Sequence, residues 1–146
     1  MNAASTDEQD QNFTAEERAA MKERATEVRT AKRKGSDAGL ADVLEKIAEM
    51  PDADREIAET VHAIVTEVAP DLQPKTWYGQ PAYAKGGKVV LFFQASSKFK
   101  TRYATLGFNE DAALDDGEMW PTAFAVTAVT PAVESTIRDL VARAAG

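Results

Sequence analysis

The chain has no cysteine and a single histidine, His62, in 146 residues. Without thiols there is no disulfide, no thiolate metal site and no cysteine nucleophile. One imidazole removes multi-histidine metal sites and most histidine-based catalysis. Any metal would take oxygen ligands, which suits hard cations. Long apolar runs are also missing: the uninterrupted stretches are a few residues, against the ~20 needed to cross a bilayer. The start, Met1 to Asn12, is polar and acidic, without the basic opening and apolar core of a signal peptide. A cytoplasmic protein is the expectation.

A third absence is local. No carboxylate occurs from Leu72 to Asn109, in a chain of formal charge −7. The same window holds Lys75, Lys85, Lys88, Lys98, Lys100 and Arg102, with Trp77, Tyr78, Tyr83, Phe92, Phe93, Phe99, Tyr103 and Phe108. Carboxylates concentrate on either side. The overall negative charge argues against indiscriminate nucleic-acid binding, and this basic, aromatic centre is the most distinctive feature of the sequence.

The length fits one domain. Residues 1–12 lack apolar periodicity and read as a disordered tail. Residues 13–50 read as an N-terminal helical extension. Its first helix opens at the capping box Thr14-Ala15-Glu16-Glu17 and runs to about Arg33. The apolar stripe there is thin (Met21, Ala25, Val28), which suits light packing or pairing with a second copy. Lys32-Arg33-Lys34-Gly35-Ser36-Asp37 reads as a linker or helix stop; nuclear localisation and nucleic-acid contact are readings open to this basic cluster, and a cationic helix C-terminus is the plainer one. A second helix covers about Ala38 to Glu49, with Leu40, Val43, Leu44 and Ile47 at helical spacing.

Residues 51–146 read as the α+β domain. Asp52 or Asp54 caps a helix over about Ala53 to Val68, with Ile57, Val61, Ile64, Val65 and Val68 as its core stripe. His62 sits at the edge of that stripe. Thr76 to Tyr78 is a short strand and Gly79-Gln80-Pro81 a turn. Ala82 to Lys85 and Lys88 to Gln94 form a hairpin across Gly86-Gly87, where two glycines accept positive φ. Val89, Leu91 and Phe93 should face the helices. Lys100 to Phe108 and Ala123 to Val129 are further strands. Thr130 caps, and Pro131 opens, a last helix that buries Val133, Ile137, Leu140, Val141 and Ala144. Segregated helices and a tight hairpin predict an α+β sandwich: an antiparallel four- to five-stranded sheet covered by helices.

Three stretches carry a resemblance: Trp77-Tyr78-Gly79-Gln80-Pro81-Ala82-Tyr83, Lys88-Val89-Val90-Leu91-Phe92-Phe93, and Tyr103-Ala104-Thr105-Leu106-Gly107-Phe108. Together they resemble the YdhG-like family of domains of unknown function, over roughly Asp52 to Gly146. The resemblance implies an α/β sandwich and, from one bacterial branch likened to frataxin, intracellular iron handling. It supplies no ligand motif to transfer.

Two candidate sites follow from the residues. Glu110, Asp111, Asp115, Asp116 and Glu118 crowd five carboxylates into nine residues, enough for loose, exchangeable iron; a solvated acidic loop is the plainer reading. Asp52, Asp54, Glu56 and Glu59 form a second acidic set. On the basic side, Lys98, Lys100 and Arg102 alternate. On one strand they would share a face at a spacing of about 6–7 Å. With Tyr78 and Tyr83 they would suit an anionic small ligand or single-stranded nucleic acid; core aromatics with a solvated lysine edge are the plainer reading. No Gly-x-Ser-x-Gly elbow, P-loop or His-Glu-x-x-His pattern is present. A non-enzymatic binding role is therefore expected: iron delivery, an anionic ligand, or protein interaction through the first helix as a homodimer.

Overall fold

The computed structural model describes residues 16–24 and 36–146. Thr14 of the capping box, Ala25 and Val28 of the thin stripe, the residues before Glu16 and the basic run 32–34 lie outside the described residues. Helix α1 is described over 16–24 and exposes Met21. It is followed by α2 (Ser36–Ala48) and α3 (Asp52–Val68). Strands β1 (Gln73–Trp77), β2 (Gln80–Lys85) and β3 (Lys88–Gln94) lead to a one-turn helix, α4 (Ser96–Phe99). Strands β4 (Ala104–Phe108) and β5 (Ala123–Val126) and helix α5 (Pro131–Ala145) complete the chain. The five strands form one antiparallel meander in the order β1-β2-β3-β4-β5, as the segregated pattern predicts. Among the described residues no helix is long and apolar enough to cross a membrane.

The helical stripes do what their spacing implies. Val43 and Ile47 of α2, Ile57, Ala58, Val61, Ile64 and Val65 of α3, and Ile137, Leu140, Val141 and Ala144 of α5 enter one buried core. Leu40 and Leu44 stay exposed, because α2 lies along the β1 edge and does not cross the sheet centre. Gly39 makes that approach feasible: a Cβ there would collide with the Pro74 carbonyl. Thr130 caps α5 through Val133 N at 3.1 Å.

The register assigns the two faces, since side chains alternate along each strand. Across the inner face run the rows Pro74–Tyr83–Leu91–Phe108 and Phe93–Leu106–Phe124. Most of their members lie in the helix-covered core or pack against it. Across the outer face runs Lys75–Ala82–Phe92–Gly107–Ala123, none of which joins that core.

Several local expectations are corrected. A β-bulge puts Val89 and Leu91 opposite the consecutive residues Ala84 and Tyr83, so Val90 is extra. Val90 therefore joins the core, while Val89 shares the outer face with Ala84 and does not turn to the helices. The first hairpin turns at Tyr78-Gly79, with φ of 54° and 76°, and Trp77 pairs with Gln80. This is the two-residue geometry that asks for positive φ at both positions. Gln80 and Pro81 consequently belong to β2 and not to the turn. Pro81 is tolerated because β2 pairs with β3 only from Ala82 onward, so no ladder donor is lost there. Gly86-Gly87 turns the second hairpin as expected, with φ of 59° and 81°.

The fourth strand begins at Ala104, not Lys100, and the fifth ends at Val126, before Val129. Ser96–Phe99 coils instead, and Lys100 closes the turn in the left-handed region at φ 54°, its N–H reaching the Ser96 carbonyl.

Candidate functional site

The reason α4 forms is a carboxylate supplied from another helix. Asp54 is 3% exposed and accepts from Ser96 N at 3.1 Å, Ser96 Oγ at 2.8 Å and Ser97 N at 3.1 Å. Burial pushes its pKa up, but the Ser96 and Ser97 hydrogen bonds outweigh that and hold it below the ordinary carboxylate value. Asp54 thus caps α4 from a distance and does not cap its own helix. The N-cap position of α3 is Pro51, with no side-chain cap bond.

Coiling at α4 breaks the proposed cationic stripe. Lys98 lies on the short helix, Lys100 is its left-handed cap and Arg102 sits in the following loop, over the Tyr103 ring at 5.5 Å. The three do not share a strand face. Lys98 is engaged with backbone and side chain, donating to the Tyr78 carbonyl at 2.7 Å and to Glu23 Oε2 at 3.2 Å.

Tyr83 is removed from the site altogether. It is buried on the inner face, its hydroxyl 2.9 Å from His62 Nδ1. Burial raises the Tyr83 pKa far above its usual value and lowers that of His62. A partner for His62 on a distant strand leaves no trace in local spacing.

Tyr78 remains exposed beside Trp77, with Arg24 over its ring at 5.8 Å.

The acidic loop does not converge. Ala112 and Leu114 are buried, and Ala113 N is held by the Ala144 carbonyl at 3.0 Å. Those anchors turn Glu110, Asp111, Asp115, Asp116 and Glu118 to the surface, where all five are exposed. Among the described residues no three side chains of metal-ligating type come together. The second acidic set is dispersed too: Asp52 and Glu59 pair with Arg55, and Asp54 is the distal cap.

Charge segregation along the sequence is not segregation in space. Lys98, from the basic window, pairs with Glu23 of α1 at 3.2 Å.

What the fold assembles instead is a hollow of about 400 Å³ on the outer face. Lys75 and Trp77 come from β1, Val89 from β3 through the bulge, and Arg24 from α1. Asn109, Glu110 and Asp111, just after β4, complete it beside Gly87. Trp77 is held by Tyr78 at 5.0 Å and Phe92 at 5.2 Å between ring centroids. Phe92 in turn occupies the space a Cβ on Gly107 would need. Cation, indole and carboxylate therefore border one concavity, a set suited to a ring with acceptor and N–H groups. Two members of the acidic cluster, Glu110 and Asp111, and one window lysine, Lys75, are brought together here. The sequence signal that would have found them is the lysine–tryptophan pair at i, i+2 on a strand, Lys75 and Trp77.

No protein-family model, no curated protein and no solved structure matches the chain. The motif residues of the YdhG-like resemblance have visible structural duties: Gly79 in the turn, Tyr83 in the core, Gly107 under Phe92.

Proposed function

We propose that this is a non-enzymatic binding domain that holds a small aromatic anion, of the mononucleotide class, on the outer face of its sheet. One observation carries the reading: the outer hollow joins Trp77 and Lys75 to the Glu110–Asp111 carboxylates, on the sheet face turned away from the helix-covered core cluster. A base lying against Trp77 gains stacking. Its ring N–H groups suit the carboxylates, and its phosphate suits Lys75. The hollow, at about 400 Å³, falls within the size of small-molecule sites. The only histidine serves the opposite face, against Tyr83, which supports binding over acid–base chemistry.

Iron delivery through the acidic loop has less behind it, since its carboxylates are exposed and dispersed. A nucleic-acid stripe through Lys98, Lys100 and Arg102 loses its strand.

The test is a tryptophan-fluorescence titration with GMP at two salt concentrations. Saturable quenching that disappears in Trp77→Leu and weakens in Lys75→Gln supports the reading. Quenching indifferent to both substitutions overturns it.

A further inference from the structure

The sheet has two edges, and only one of them is closed. At the β1 edge, α2 runs against the strand so closely that a Cβ on Gly39 would collide with the Pro74 carbonyl. Strand β5 forms the other edge, and among the described residues no strand lies beside it on the side away from β4.

The register fixes which backbone groups that edge presents. Directly opposite residues of an antiparallel pair alternate between exchanging hydrogen bonds and not exchanging them. Phe108 N–H donates to the Thr122 carbonyl at 2.8 Å, so the bonded pairs that follow are Leu106–Phe124 and Ala104–Val126. Ala123 and Ala125 therefore aim their N–H and carbonyl groups away from β4, and both residues are exposed. Edge strands are ordinarily blunted by charge, proline, a bulge, brevity or a covering element. Among the described residues β5 has only its short length, four residues. Its register with β4 is unbroken, and Pro121 and Pro131 flank the strand without entering it. From Met119 to Val133 the chain carries no charged residue, its longest such stretch in a sequence that is 28% charged. On the inner face Phe124 meets Phe108 edge-on, with ring centroids 6.0 Å apart, and stays half-buried.

We propose that this edge pairs with the β5 edge of a second copy of the chain, joining the two sheets into one across a two-fold axis. Ala123 of each copy then lies opposite Ala125 of the other, and the outward N–H and carbonyl groups of both are satisfied. Phe124 falls on the axis opposite Phe124 of the second copy, in a non-hydrogen-bonded pair, where side chains come closest. Each ring covers the exposed side of the other, and aromatic pairs so placed are stabilising. A second copy fits better than a foreign charged strand, because the edge offers no charge to select one. Two identical edges meet neutral against neutral, in a chain whose net charge of −7 repels elsewhere. With the β1 edge blocked, the pairing closes at two copies and does not run on into a filament. This surface is distinct from a pairing through the first helix and does not rest on the outer-face ligand reading.

Sedimentation equilibrium of the full chain at millimolar concentration should give twice the chain mass of 15.8 kDa. Ala125→Pro removes one outward donor from each copy and should weaken association by about tenfold, with the far-UV spectrum unchanged. Two charge variants separate pairing from folding. Ala123→Lys with Ala125→Lys, and Ala123→Glu with Ala125→Glu, each set like charges opposite one another across the axis. Each should be monomeric alone, and the two mixed in equal amounts should recover the dimer mass. The proposal is overturned if wild type keeps the mass of one chain, which would leave the edge to water or to a foreign strand. It is equally overturned if either charged variant dimerises as wild type does, or if their mixture stays monomeric. Dissociation by Met119→Lys but not by Ala125→Pro would also overturn it, since the contact would then be an apolar patch and not the strand edge.

Discussion

The Asp54 carboxylate, on α3, organises Ser96, on α4, across 42 positions of sequence, accepting from both its N–H and its hydroxyl. This relationship decides why the segment after β3 coils and why the lysines that follow are scattered. Local propensity would not choose it: a four-residue helix, Ser96–Phe99, is too short to hold itself.

Asp54→Ala should therefore destabilise the domain by about 2 kcal/mol, since it takes the charged acceptor from the half-buried Ser96 N–H and hydroxyl and from the Ser97 N–H. Because the hydrogen bonds hold the folded-state pKa below the unfolded one, the contribution is complete above the ordinary carboxylate value. It is lost as pH falls through the depressed value. Urea midpoints measured at pH 6 and pH 3 should show the gap between wild type and variant narrowing at the lower pH. An equal gap at both would contradict the assignment.

His62 shows the opposite dependence on charge. Burial lowers its pKa, so below the ordinary value near 6.5 the unfolded chain takes up the proton first. Stability then declines as pH falls through that region, and rises to a plateau above it. An NMR titration of the imidazole should give a midpoint under the ordinary value. Tyr83→Phe, which removes the hydroxyl 2.9 Å from Nδ1, should cost about 1 kcal/mol.

Gly107→Ala tests the outer face by packing alone. The new methyl would meet the Phe92 ring, which borders Trp77. A destabilisation of about 1–3 kcal/mol is expected from the forced shift, with a change in tryptophan emission as the Phe92–Trp77 contact is lost. An unaltered emission spectrum would show that Phe92 does not hold the indole.

Much of the fold was legible because it is periodic. Val61, Ile64 and Val65 on α3, Ile137 and Val141 on α5, and Gly86-Gly87 between two strands declare themselves by spacing. The site was less so, for three physical reasons. The bulge at Val90 reverses face parity, which no alternation rule foresees. The Asp54 cap is non-local and converts an apparent strand start at Lys100 into a turn. Charge runs in sequence pair across space, as Glu23 does with Lys46 and Lys98, so a one-dimensional charge map overstates segregation. The rings of the aromatic window divide between faces: Tyr83, Phe93 and Phe108 inward, Trp77 and Phe92 outward.

The central claim is that the sheet's uncovered-by-core face is the ligand surface, and backbone NMR with GMP addresses it most directly. Saturable shifts confined to Lys75, Trp77, Val89, Asn109 and Asp111 are the predicted result. Shifts gathered instead at Lys98, Lys100 and Arg102, or no shifts at millimolar nucleotide, would contradict it.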